Sequence, residues 1–151
     1  MKKISTNWIF FYKWVFPAIW FGFLIFFIFK AVSDVENFEI IFVIVPGIMF
    51  VFGFIFFKQF LWDLVDGAWD CGDFIRVKKG KVEENIYLSN IINVSYMVFN
   101  PPRATFTLRE PGVLGKEVTF SPIQPISFLT MFRKNPIIQD LIERIDYARK
   151  S

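Results

Sequence analysis

From Ile40 to Phe57 no residue carries a charge. A run of about 18 residues at ~1.5 Å each makes a helix of roughly 27 Å, close to the thickness of a bilayer's hydrocarbon core. A second apolar stretch, Trp8 to Phe29, is broken only by Lys13. The chain therefore reads as membrane-embedded, and its functional possibilities start from there.

Composition marks where the membrane half stops. Of the 22 phenylalanines, 16 fall in residues 1–70 and 6 beyond, so an apolar half gives way to one of ordinary globular composition. A net charge of +3 is too small to argue for nucleic acid. From Cys71 onward there are 12 Lys and Arg against 8 Asp and Glu, a mild basic excess suited to a surface near anionic lipid. The single cysteine excludes an internal disulfide and fits a reducing compartment.

The first span is expected at about 8–29. A lysine at bilayer centre costs about 2.5–3.5 kcal/mol on insertion scales, so Lys13 is placed near an interface, where it snorkels beside Tyr12 and Trp14. Pro17 either kinks the helix or marks its first deep turn. A cleaved signal peptide ending at Ala31-Val32-Ser33 is the competing reading, opposed by the bulky aromatics and by Lys30. The second span is expected at about 40–62, with Lys58 and Trp62 as its interfacial anchors. Pro46, Gly47 and Gly53 are tolerated in membrane helices, whose neighbours satisfy freed backbone groups, and they permit close helix approach. A link over Lys30–Glu39 forces an antiparallel hairpin.

The flanks orient that hairpin. Lys2, Lys3 and Lys13 precede the first span, and Lys58, Arg76, Lys78 and Lys79 follow the second. The link holds one lysine against Asp34, Glu36 and Glu39. The positive-inside rule puts both termini in the cytoplasm and the link outside.

Residues 70–121 read as antiparallel strands with one packed and one wet face. Ile75 and Val77 alternate with polar neighbours. Val82, Ile86 and Leu88 resume after Lys79-Gly80, with Glu84 as a fault in the pattern. Ile92, Val94, Tyr96 and Val98 share one parity. Ala104, Phe106 and Leu108 follow Asn100-Pro101-Pro102, and Val118 and Phe120 follow the turn at Pro111–Gly115. The stretch 121–135, with Pro122 and Pro125, reads as a loop wrapping the sheet. A helix at 136–149 starts with Asn135 as cap and Pro136 in the first position. Ile137, Ile138, Leu141, Ile142 and Ile145 form its apolar stripe. Asp140, Glu143, Arg144 and Asp146 face water, Asp140 and Arg144 being paired four apart.

A curved antiparallel sheet closed by one C-terminal amphipathic helix describes the pleckstrin-homology-like (PH-like) architecture. Gly72-Asp73-Phe74-Ile75-Arg76-Val77-Lys78-Lys79-Gly80 and Ile86-Tyr87-Leu88-Ser89-Asn90-Ile91 resemble the opening of bacterial PH-like domains. The run Ser89–Pro122, with Asn100-Pro101-Pro102-Arg103, Leu108-Arg109-Glu110-Pro111 and Phe120-Ser121-Pro122, resembles a family of small bacterial two-helix membrane proteins without an assigned activity. The resemblance implies an α+β membrane protein: a transmembrane hairpin over 1–66, then a cytoplasmic PH-like sheet or partial barrel over 67–151, in the bacterial inner membrane.

The chain has no histidine, which excludes Ser-His-Asp, Cys-His and His-containing metal arrangements. Cys71, between Asp70 and Asp73, reads as a spacer residue rather than a nucleophile. Asp63, Asp66, Asp70 and Asp73 read as a solvated connector rather than a metal site. No catalytic residue, metal site or cofactor is expected. The usable feature is the basic turn Lys78, Lys79 and Lys81. In the PH-like resemblance this is the loop that holds phosphorylated headgroups, and each such lysine contributes about 1 kcal/mol at an anionic surface. The expected function is non-catalytic: protein–protein interaction, oligomer assembly or membrane-surface sensing, with the bilayer, anionic headgroups and a protein partner or homo-oligomer as contacts. The alternative is a small membrane enzyme or transporter subunit, which predicts ionisable residues inside the spans.

Overall fold

The computed structural model describes residues 1–98, 101–123 and 135–151. They form two compact units: Phe10–Asp63, and Met1–Ile9 together with Leu64–Ser151. The first nine residues thus fold with the β-rich half, not with the hairpin in which the sequence groups them.

The helical unit holds α1 (Phe16–Ser33), preceded by a π-helical turn (Phe11–Val15), and α2 (Ile41–Phe60). Phe11–Ser33 and Ile41–Phe60 are both long and apolar enough to cross a membrane. α1 runs past Lys30 to Ser33, because this stretch contains no helix breaker and Lys30 suits the negative end of the helix dipole. The link shortens to residues 34–40 accordingly. Pro17 explains the π turn. Lacking an N–H, it leaves the Lys13 carbonyl without its helical donor, and the Trp62 indole N–H donates to that oxygen at 2.9 Å. Further along, Phe57 is buried, with edge-on ring contacts to Phe16, Trp20 and Phe21. A side chain on Gly53 would overlap the Trp20 indole, so this glycine is what lets the ring seat against α2.

The β unit has two antiparallel sheets. The first is ordered β1 (Lys2–Lys3), β2 (Gly67–Asp70), β3 (Phe74–Lys79), β4 (Val82–Tyr87); the second is β5 (Ile91–Met97), β6 (Arg103–Gly112), β7 (Gly115–Phe120). A 3-10 turn, Leu88–Asn90, joins them. Their inner faces share one core with α3 (Pro136–Lys150), which contributes Ile138, Leu141 and Ile145. At the other margin, Thr6 N–H donates to the Ser121 carbonyl at 2.8 Å and Val65 N–H to the Thr119 carbonyl at 2.9 Å. The end of β7 is thereby tied to the segments flanking β1 and β2, and the two sheets remain distinct rather than merging into one barrel.

Several expectations shift in register. Ile91 is fully buried while Ile92 is 38 % exposed, because a bulge between Ile91 and Asn93 moves the parity of β5. Val94 and Tyr96 still pack on the core. β2 occupies the stretch read as a solvated connector. The capping prediction is met: Asn135 Oδ1 accepts from Ile137 N–H and its Nδ2 donates to the Ile123 carbonyl. The wrapping loop read at 121–135 and the Asn100 turn fall largely on residues 124–134 and 99–100, outside those described.

Candidate functional site

The chain leaves the β unit after Ile9 and re-enters it at Leu64. Asp66, two residues after re-entry, holds the basic turn. Its N–H donates to the Lys78 carbonyl at 2.7 Å, and its Oδ2 accepts from Gly80 N–H at 2.6 Å. The β3–β4 connection is the two-residue Gly80-Lys81, with Gly80 at φ +61 and no non-glycine residue at positive φ among those described. That is the glycine-first hairpin turn whose twist matches the flanking strands. Lys78, Lys79 and Lys81 therefore stand at the end of the sheet where β2 begins. Lys78 and Lys81 are exposed and Lys79 half-buried. Lys78 faces Glu83 at 3.7 Å, an exposed pair of little energetic weight.

The opposite end of β2 carries an ion pair made through two bonds. Arg144 of α3 meets Asp70 through two parallel bonds, Nη1 to Oδ2 at 2.6 Å and Nη2 to Oδ1 at 2.9 Å. It also donates to the Gly72 carbonyl. The Arg144 hydrogen bond holds the Asp70 carboxyl below its ordinary range, and Asp70 in turn raises the Arg144 guanidinium. Arg144 also keeps its 3.3 Å contact with Asp140, but it does not simply face water as its helix position suggests. Asp66 and Asp70 are thus structural acceptors, not parts of a loose acidic connector.

Glu84 resolves the fault in β4. It occupies the inward parity, and its two carboxylate oxygens accept from Val113 and Leu114 N–H, each at 3.0 Å. A side chain on Gly112 would overlap that carboxylate. The acid therefore ties the β6–β7 turn to the first sheet. Asn90 does similar work, exchanging reciprocal hydrogen bonds with the backbone of Glu110.

Of the expected interfacial anchors, Lys13 is 7 % exposed in the π turn, and Trp62 is joined to it through the indole bond. Trp14 and Lys58 are exposed and Tyr12 half-buried. Cys71 is half-buried, with its Sγ 3.9 Å from the Trp69 carbonyl. Among the described residues no three Cys, Asp or Glu converge in a way that would hold a metal ion. A groove of about 400 Å³ between β5 and α3, lined by Tyr96, Ile138, Ile142 and Glu143 among others, brings one carboxylate to bear among the described residues.

No family model, curated protein or solved structure matches the chain.

Two features escape a sequence reading. β1 is two residues long and sits ahead of the first span, so no alternation announces it. Trp69 lies in a four-residue strand, too short for a periodic signal. The only hint is the pair Lys2-Lys3, which the positive-inside rule uses for orientation and which equally suits a sheet edge.

Proposed function

We propose that this chain is a non-catalytic, membrane-anchored interaction module. In this reading a PH-like domain is held by a two-helix hairpin at the cytoplasmic face of a bacterial inner membrane, and it acts by contact with a protein partner or further copies of itself. The observation that carries the reading is the pairing of β1 with β2, Lys2 opposite Asp70 and Lys3 opposite Trp69. Because the segments before the first span and after the second belong to one sheet, two crossings return the chain to the side it left. The lysines on both flanks favour the cytoplasm for that side. Four strands, then three, then a C-terminal helix is the element order that supports the PH-like comparison.

The absence of histidine favours contact over catalysis, as does the structural employment of Asp66, Asp70 and Glu84. Lys78, Lys79 and Lys81 then orient the module against anionic headgroups, since the hairpin already provides the attachment. Crosslinking in native membranes followed by purification in mild detergent should recover a defined partner or a homo-oligomer at fixed stoichiometry. A strictly monomeric protein without partners would overturn the reading. Charge reversal at all three lysines should reduce crosslinks to anionic lipid or partner several-fold, and unchanged crosslinking would remove these residues from the account.

A further inference from the structure

We infer that the outer face of the first sheet rests on the anionic headgroups of the membrane that carries the hairpin; this rests on the reading that the hairpin spans a bilayer. Residues in cross-strand register share a face. Ala68, Ile75, Val77 and Ile86 take the inward positions and are buried. The outward positions then read Lys3, Trp69, Arg76 and Asn85 in one row across the four strands, and Phe74 beside Tyr87 in the next. Gly67, Lys78 and Glu83 form the row nearest the basic turn.

This face has a particular chemistry. Tyr87 is 56 % exposed and sits 5.7 Å from Phe74, which like Trp69 is half-buried. The Trp69 ring lies beside Gly67, where any side chain would strike it, and Lys3 Nζ stands 6.0 Å from the Trp69 ring centroid. Lys3 and Arg76 are held by the neutral amides of Asn7 and Asn85, at 2.6 and 3.3 Å, so neither charge is cancelled there. The one acid in these rows, Glu83, already faces Lys78.

Tryptophan and tyrosine set among uncompensated cations are the composition of a membrane–water interface. Lysine is depleted from protein interfaces, and here Lys3 stands in the middle row. Two copies of the face would bring like charge against like charge. The chain joins this sheet's unit to the helical unit twice, after Ile9 and before Leu64.

The test uses the full chain in nanodiscs of phosphatidylcholine alone or mixed with phosphatidylglycerol. Brief acetylation read by mass spectrometry reports Lys3 on the native chain, with Lys116 as the reference. Phosphatidylglycerol should lower the Lys3 to Lys116 labelling ratio at least about 3-fold. The same lipid should protect a neutral-quencher-accessible fluorophore at Tyr87→Cys, in a Cys71→Ser background, but not one at Val113→Cys. Ratios and quenching that do not depend on lipid would overturn the inference. Protection that instead rises with protein concentration in detergent would also overturn it, in favour of a second copy. If carbonate washing strips the protein from liposomes, the spanning reading itself fails, an outcome distinct from either of these.

Discussion

Asp70 and Arg144 lie 74 residues apart in the chain, yet their paired bonds fasten α3 to the turn after β2. The side chain of Asp70 is 17 % exposed and that of Arg144 30 %, so solvent screens the pair only in part. Asp70→Asn should cost roughly 1–2 kcal/mol, seen as a lower Tm of the detergent-solubilised protein. The sign of the pH effect follows from the lowered carboxyl. Its stabilisation is present above the unfolded value near 3.8 and is lost as pH falls through the lower folded value. The native protein should therefore lose Tm more steeply below about pH 4 than Asp70→Asn does; parallel acid limbs would show the latch to be idle. Glu84→Ala should cost about 1–3 kcal/mol by leaving two turn N–H groups without their acceptor. Guanidinium unfolding of the β unit's fluorescence signal would measure it. The residue-level contrast shows what a sequence discloses. Asp140 and Arg144, one helical turn apart, are legible from spacing, and the Asn135 cap from its neighbour Pro136. Asp70 and Glu84 are not, because their partners belong to strands and turns that only the fold brings near.

At the scale of elements, hydropathy located both long helices to within a few residues, since length and absence of charge are local properties. It did not disclose how they fit together. The seat of Trp20 against Gly53, and the Trp62 bond to the carbonyl that Pro17 leaves open, depend on which faces meet. Gly53→Ile should push the indole out and loosen the hairpin, lowering Tm by several degrees, whereas the neighbouring Phe52→Ile, 68 % exposed, should change it little. Equal effects would mean that α1 and α2 do not pack through this glycine. The basic turn was legible because a glycine among lysines is a local signal. The aromatic and cationic face of the first sheet was not, since its rows draw single residues from four strands, one of them ahead of the first span. Alternation identified β3, β4, β6 and β7, but a bulge in β5 defeats parity because one inserted residue reverses every assignment on its far side.

Both long helices fall in sequence between β1 and β2, which are paired strands of one sheet. Ile4 is 1 % exposed and its N–H donates to the Ala68 carbonyl at 3.0 Å, so the first residues are core material of the β unit, joined across the entire hairpin. This couples two measurements that would otherwise be independent. If the helices cross a bilayer, residues before Phe11 and after Phe60 must share one side, whatever the charge of the flanks. Single cysteines at Lys2, Val35 and Ser151 in a Cys71→Ser background, probed with a membrane-impermeant maleimide, should sort cleanly. In intact cells Val35→Cys, in the link and 82 % exposed in the native residue, should react, and the other two should react only after permeabilisation. Ile4→Asp adds the stability arm. A carboxylate forced into that core should unfold the β unit, costing several kcal/mol and opening residues 64–151 to protease, while leaving the Val35→Cys labelling unchanged because the spans insert by their own hydropathy. If Lys2→Cys and Ser151→Cys label from opposite sides, β1 cannot pair with β2 in the membrane, and the chain does not return to the sheet from which it started.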